Sequence, residues 1–236
     1  MLNTNAVLLG SVIIALGVAA SGYFIGQGFL ESRVLERSVT VKGLAEREVR
    51  ADTAIWPLRI VTAGDDLQEL LMRIDAQRSG VLTFLAELGF ETQELSLSAP
   101  NVTDRHARDF GNRNVRYRYS VEQTITVFTD KVNAVRDAGS GLLELGKAGI
   151  VIAQNDYDVR TQYLFNGLND IRPAMIEQAT RSARRVAEKF AADSDSVLGK
   201  IRSARQGQFS IQERDSNNPH IKRVRVVSTL EYYLVD

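Results

Sequence analysis

Two histidines, His106 and His220, are the side chains here that ordinarily change charge near neutral pH, and both fall in polar stretches. A catalytic zinc usually takes three protein ligands, and Asp104 or Asp109 added to the histidines reaches that number. The spacing matches no metal motif, so the pattern favours solvated loop histidines, with no metal and no cofactor. The chain has no cysteine, which excludes thiolate catalysis, disulfides and cysteine-based zinc sites. It also lacks the Gly-x-Ser-x-Gly elbow of a serine hydrolase. Gly139-Ser140-Gly141 sits inside a helical pattern, without the lysine and Ser/Thr of a phosphate-binding loop. The carboxylate pairs Glu46/Glu48 and Asp65/Asp66 are ordinary surface features that do not by themselves indicate a glycosidase. The chain is therefore read as a non-enzyme, with an enzyme of unrecognised type as an alternative.

The strongest local charge signal is Arg105, Arg108, Arg113, Arg116 and Arg118, interleaved with Phe110, Tyr117 and Tyr119. Such a strip can hold single-stranded nucleic acid through phosphate contacts and stacking. Asp104 and Asp109 dilute it, and formal net charge is zero, so no global field attracts nucleic acid. Arginine among aromatics is also typical of protein interfaces, so the strip is read as a solvated loop or subunit contact. Lys222, Arg223 and Arg225 read as a charged strand edge that discourages aggregation.

The elements that position these residues follow from periodicity. Gly167 to Gly199 reads as a long amphipathic helix. Its apolar stripe is Ile171, Met175, Ala179, Ala183, Val186, Ala187, Phe190 and Ala191. Asn169 or Asp170 can cap it, and Asp170 as cap puts Pro173 in the first turn.

Before it, Val39 and Val41 lead to a turn at Gly43. Ala54, Trp56, Leu58 and Ile60 share one strand face, and Pro57 among them indicates an edge or bulge. Asp65 or Asp66 caps a helix ended by Gly89, and Leu95, Leu97 and Ala99 follow as a strand. A polar loop over 102–114 precedes a strand over 115–128. Asp130 then caps a helix to about Lys147, in which Gly139 and Gly141 cost about 1 kcal/mol each and permit a kink or close packing. Further strand falls in 150–165. After the long helix come a strand over 200–211, a polar turn over 213–220 and a closing strand over 222–235.

The order is β-β-α-β, then β-α-β, then α-β-β. It predicts an α+β fold with helices packed on one side of a mostly antiparallel sheet.

Residues 6–30 carry no charge and, as a helix of roughly 37 Å, are long enough to cross a bilayer core. The predicted layout is a tail over 1–5, a transmembrane anchor over 6–30, a linker over 31–38 and one domain over 39–236. A signal peptide cleaved after Val18-Ala19-Ala20 is the alternative. Met1 to Asn5 lacks the usual Lys or Arg and the apolar run continues past Ala20, both of which favour the retained anchor. Gly22 and Gly26 form a G-x-x-x-G, a candidate face for helix packing in lipid, although glycine is common in membrane helices.

The run LNDIRPAMIEQATRSARRVAEKFAADSDSVLGKI and the closing strand VRVVSTLEYYL resemble the C-terminal half of SIMPL-domain (YggE-like) bacterial envelope proteins. Val39-Thr-Val-Lys-Gly43 with Ala51-Asp52-Thr53-Ala54 resembles that family's opening V-x-G … P-D-x-A, and Tyr119 to Val127 is similar to its middle strand. Two positions depart from the pattern: Ala51 replaces a proline, and Asp195 replaces the helix-ending glycine. The resemblance implies an inner-membrane, single-pass protein with a periplasmic domain, self-assembly in some members and oxidative-stress phenotypes in others. Arg33, Arg37 and Lys42 by themselves would keep the large domain cytoplasmic, but that rule weakens for long domains and the resemblance is followed. The expected function is a self-assembling scaffold or binding protein, with the bilayer and its own copies as partners. A secreted monomeric binding module is a further alternative.

Overall fold

A computed structural model describes residues 15–25, 37–108, 116–139, 141–153 and 159–235. The fold is α+β with antiparallel strand pairing, and its core elements separate into two compact units. One gathers the described residues within 48–170 and 211–224, the other those within 1–47, 171–210 and 225–236. Two long strands, β1 (Ser38–Arg50) and β10 (Ile221–Val235), contribute residues to both.

The first unit is built on β2 (Thr53–Gly64) and β5 (Tyr119–Thr129), paired antiparallel without interruption from Ala54↔Thr129 to Gly64↔Tyr119. Alternation turns Trp56, Leu58 and Ile60 of β2 and Val121, Ile125 and Val127 of β5 into one buried face. Helix α2 (Leu67–Glu87) covers it with Leu70, Ile74, Val81 and Leu85. Asp66 caps α2, its Oδ1 accepting from the Gln68 and Glu69 N–H groups at 2.8 and 3.1 Å. Gly89, at φ +82°, ends it as expected.

Each outer edge of this pair is covered by two short strands. On β5 these are β3 (Leu95–Leu97) and β4 (Asn101–Asp104). On β2 they are β6 (Ile152–Ala153), facing Arg59 and Ile60, and β7 (Gln162–Leu164), facing residues 53–55. The gap on the β5 side is closed by Ser98, which accepts from the Gln123 side chain at 2.8 Å and whose N–H donates to the Thr124 carbonyl at 3.0 Å. The gap on the β2 side falls at Pro57, so this central strand has a local edge where the proline needs no N–H partner.

The helix expected from Asp130 to Lys147 is two: α4 (Val132–Ala138) and α5 (Leu142–Lys147), parted at Gly139. A Cβ on Gly141 would lie 2.9 Å from the Phe84 ring, so the glycine that interrupts the helix lets that ring pack close. The polar stretch expected as loop begins with β4 and the short α3 (Arg105–Arg108), and the strand expected over 150–165 is the separated β6 and β7.

In the second unit β1, β10 and β8 (Val197–Gln206) lie side by side; β9 (Ser210–Glu213), which apart from Ser210 falls within the first unit, pairs with β10. The closing strand is therefore central and not an edge. Its Lys222 is buried and ion-paired to Glu213 at 3.3 Å, contrary to the solvated edge expected.

Helix α6 (Leu168–Asp193) begins at Leu168, so Asn169 and Asp170 lie in its first turn and Pro173 inside it. Its buried seam is Met175, Ala179, Ala183, Ala187 and Ala191. The seam follows the i, i+4 row, and the residues three positions on roll out to one side. Val186 and Phe190, expected in the buried stripe, are accordingly 39% and 55% exposed. The small side chains bring α6 so close to β1 that a Cβ on Gly43 would fall 1.9 Å from the Ala179 carbonyl oxygen. Gly43 is thus not a turn but a point of contact within a thirteen-residue strand.

The C-terminus of α6 is a Schellman closure. The Ser196 N–H donates to Ala191 at 2.9 Å and the Asp195 N–H to Ala192 at 3.3 Å. Asp195 has φ +51° and is the non-glycine residue with positive φ among the described residues. Helices α2 and α5 end with the same hydrogen-bond pattern, but with Gly89 and Gly149 in the left-handed position.

The remaining helix, α1 (residues 15–25), is exposed throughout. No described helix is long and apolar enough to cross a membrane. The rest of the predicted anchor, including Gly26, lies outside the described residues; Gly22 is within this helix, with nothing within 4 Å of a Cβ placed on it.

Two substitutions test this packing. Asp195→Gly should stabilise the protein by at most about 1 kcal/mol, because glycine enters the left-handed region without steric cost; an unchanged denaturation midpoint would contradict it. Gly43→Ala should cost about 3 kcal/mol or more, as backbone atoms and not flexible side-chain ends must give way; a wild-type melting temperature would show that α6 does not approach so closely.

Candidate functional site

The gap beside Pro57 opens into a cleft of about 580 Å³. Its apolar wall comes from Trp56 and Leu58 of β2, Val135 of α4, Leu142 of α5, Ile152 of β6 and Val159. Its polar side comes from Arg136, Arg160, Thr161 and Tyr163, and from the β9–β10 turn with Ser216, Asn217 and His220. All of these belong to the unit built on β2 and β5.

The turn carrying His220 is held by Asp215. Asp215 Oδ1 accepts from the Asn217 and Asn218 N–H groups at 3.0 and 2.9 Å, and Oδ2 accepts from Arg214 Nε at 2.8 Å. These bonds, led by the Arg214 and Asn218 side chains, pull the Asp215 carboxyl down to about 2. The His220 carbonyl in turn accepts the Ala51 N–H at 2.8 Å. A proline at position 51, the residue of the family pattern, could not make this bond.

The His220 ring packs edge-on to Tyr163 with centroids 6.1 Å apart, and Arg136 Nη1 lies 3.5 Å from Nε2. Burial lowers the imidazole pKa from its ordinary 6.5, and Arg136, Arg214 and Arg50 push it the same way against a smaller opposing pull from Asp215. Burial raises the Tyr163 phenol. The site therefore presents a neutral imidazole beside the Arg136 guanidinium against an apolar wall. Among the described residues no carboxylate lines it.

His220 was expected as a solvated loop histidine and is instead half-buried in this cleft. His106 is exposed in α3, and the described residues hold no cluster of three potential metal ligands. Trp56, Arg136, Arg160 and Tyr163 were not singled out as site residues from the sequence, since only the β6 and β7 pairings gather them.

The arginine strip is a different place. Arg118 is tied to Asp104 at 3.0 Å, its N–H donates to Asp65 at 2.9 Å, and its guanidinium lies over Tyr119. The Arg105 N–H donates to the Arg118 carbonyl at 2.8 Å, and Arg116 lies over Tyr117. Arg108 ends α3, while Phe110 and Arg113 lie outside the described residues.

Asp52, part of the family pattern, anchors the approach to α6. Its Oδ2 accepts from the Asn166 and Gly167 N–H groups at 2.7 and 3.0 Å, and Oδ1 from the Asn166 side chain at 3.0 Å. The P-D-x-A resemblance flagged this residue, and the structure supplies its task.

The architecture thus defines an α+β envelope for a cationic, apolar-walled cleft. The SIMPL family model, described as a protein of unknown function (DUF541), matches residues 39–228, and the chain belongs to this family. No curated protein matches the chain.

The histidine gives a pH test. Its folded pKa is depressed, so below about 6.5 the unfolded chain binds more protons and stability falls as pH drops. The His220 ring resonances should titrate below 6.5, and His220→Gln should flatten that part of the stability curve. Titration at or above 6.5 would contradict the burial described.

Proposed function

We propose that this protein is a non-catalytic, membrane-anchored envelope protein that works by self-assembly, exposing its folded part on the periplasmic side of the inner membrane. The anchor reading rests on the uncharged run over residues 6–30, within which 15–25 is helical. A part in envelope or oxidative-stress tolerance is added by family resemblance.

The observation that carries assembly is the strand β8. It ends the β1-β10-β8 order, with no strand beyond it among the described residues, and it exposes Val197 and Ile201 at 62% and 49%. An edge of this length with apolar side chains in water is a template for another strand. Val186 and Phe190 of α6, in the same unit, add exposed apolar surface that a second copy would cover. The cleft sets Arg136 and His220 against a broad apolar wall, a mixture of surfaces that supports ligand binding.

Chemical cross-linking in membranes and size measurement of the detergent-extracted chain should both give an oligomer, and Ile201→Lys should shift it towards monomer. Wild-type protein that is monomeric by both methods defeats the assembly reading. N-terminal sequencing of the mature protein should begin at Met1 or Leu2; a start near Ser21 defeats the anchor and favours the secreted binding module.

A further inference from the structure

We propose that the cleft beside Pro57 is a binding site for a small organic acid, with the carboxylate held by Arg136 and an apolar, preferably aromatic, body laid against Trp56 and Leu58. This goes beyond the assembly reading and does not depend on it: a monomer that binds such an acid leaves it standing.

Four observations carry it. The first is the origin of the cleft. β6 covers β2 only at Arg59 and Ile60, and β7 only at residues 53–55. The equivalent gap across the sheet is closed by Ser98, whereas no described residue pairs with β2 across the one at Pro57. The second is size. About 580 Å³ falls in the range of small-molecule sites and suits a ligand of roughly ten or more heavy atoms.

The third is charge. The Arg136 guanidinium lines the cleft, half exposed and beside the His220 ring. Arg136 touches Asp137 at 3.3 Å, but both side chains are at least half exposed, so that pair competes weakly with a ligand. Glu213 lines the neighbouring hollow with Arg160 and Ser216, yet it is already paired with the buried Lys222. A guanidinium fork matches the two oxygens of a carboxylate.

The fourth is the mixture of surfaces. Beside the charged side stands a wall that includes Trp56, Leu58, Val135 and Ile152, which a bare inorganic anion would leave uncovered. His220 and Tyr163 stand at the boundary, held edge-on to each other, where a neutral imidazole and a phenol can each exchange a hydrogen bond with a carboxylate oxygen.

Trp56 is the sole tryptophan of the chain and lines this cleft, so its emission responds to a ligand bound there. The full-length protein in detergent is titrated with phenylacetate, its uncharged analogue phenylacetamide, the cation phenethylammonium and inorganic phosphate. Phenylacetate should change the Trp56 emission saturably, with a midpoint of about 1 mM or below. Phenylacetamide, phenethylammonium and phosphate should each bind at least roughly tenfold more weakly. Arg136→Gln should weaken phenylacetate by a similar factor, with its melting temperature near that of the wild type.

No saturable change by about 10 mM phenylacetate would overturn the proposal. So would equal affinity for the amide, tighter binding of the ammonium ion, or phosphate matching phenylacetate. The ligand series on the unaltered protein decides the matter even if Arg136→Gln does not fold. Assembly is read separately by cross-linking, so the failure of one reading is not mistaken for the failure of the other.

Discussion

The unbroken antiparallel pairing of β2 with β5 is the constraint on which the unit that holds the cleft depends. It aligns Trp56, Leu58 and Ile60 with Val121, Ile125 and Val127 on one face, and that face gives α2 its buried seat. A slip of one residue between the strands would put the two sets on opposite faces, so the register and the core specify each other. The pair also leaves two outer edges to be covered by short strands, and the unequal covering of those edges creates the cleft. Pro57 fits there because a ring nitrogen has no hydrogen bond to lose at a gap.

The other unit is organised by closeness rather than by bulk. A row of alanines on α6 and a glycine on β1 allow helix and strand backbones to approach further than a leucine-rich seam would permit. Larger apolar residues of the same helix, Val186 and Phe190, are left facing water. At the end of the helix, Asp195 takes a left-handed conformation that glycine occupies at the ends of α2 and α5. Its short polar side chain lowers the steric cost of that choice without removing it.

The cleft shows how electrostatics follow from scaffold geometry. The β9–β10 turn is held by Asp215, which fixes where His220 stands. Arg136 arrives on α4, and Arg160 and Tyr163 on the segment that returns as β7. Burial together with surrounding guanidinium groups then disfavours the charged imidazole. Asp52, a few residues from Trp56 in sequence, uses its carboxylate to hold the chain entering α6.

Much of the fold was legible in the residues alone. The period-two run from Ala54 to Ile60, the capped helix from Asp66 to Gly89 and the long helix after Gly167 each announce themselves, because periodicity and caps are local properties. The family kinship was readable for the same reason, as a succession of such segments, and so was the left-handed place of Asp195. The meaning of Gly43 and Gly141 was not readable, since a glycine is written the same whether it makes a turn or admits a neighbour such as Ala179 or Phe84. Nor was the exposure of Val186 and Phe190, which depends on which row of the helix meets the sheet. The cleft was hidden altogether: Trp56, Arg136, Tyr163 and His220 are far apart along the chain, and only non-local strand pairing brings them to one gap. Local sequence determined which segments are helix and strand and where they stop; long-range pairing, which no short window contains, decided where a site could open.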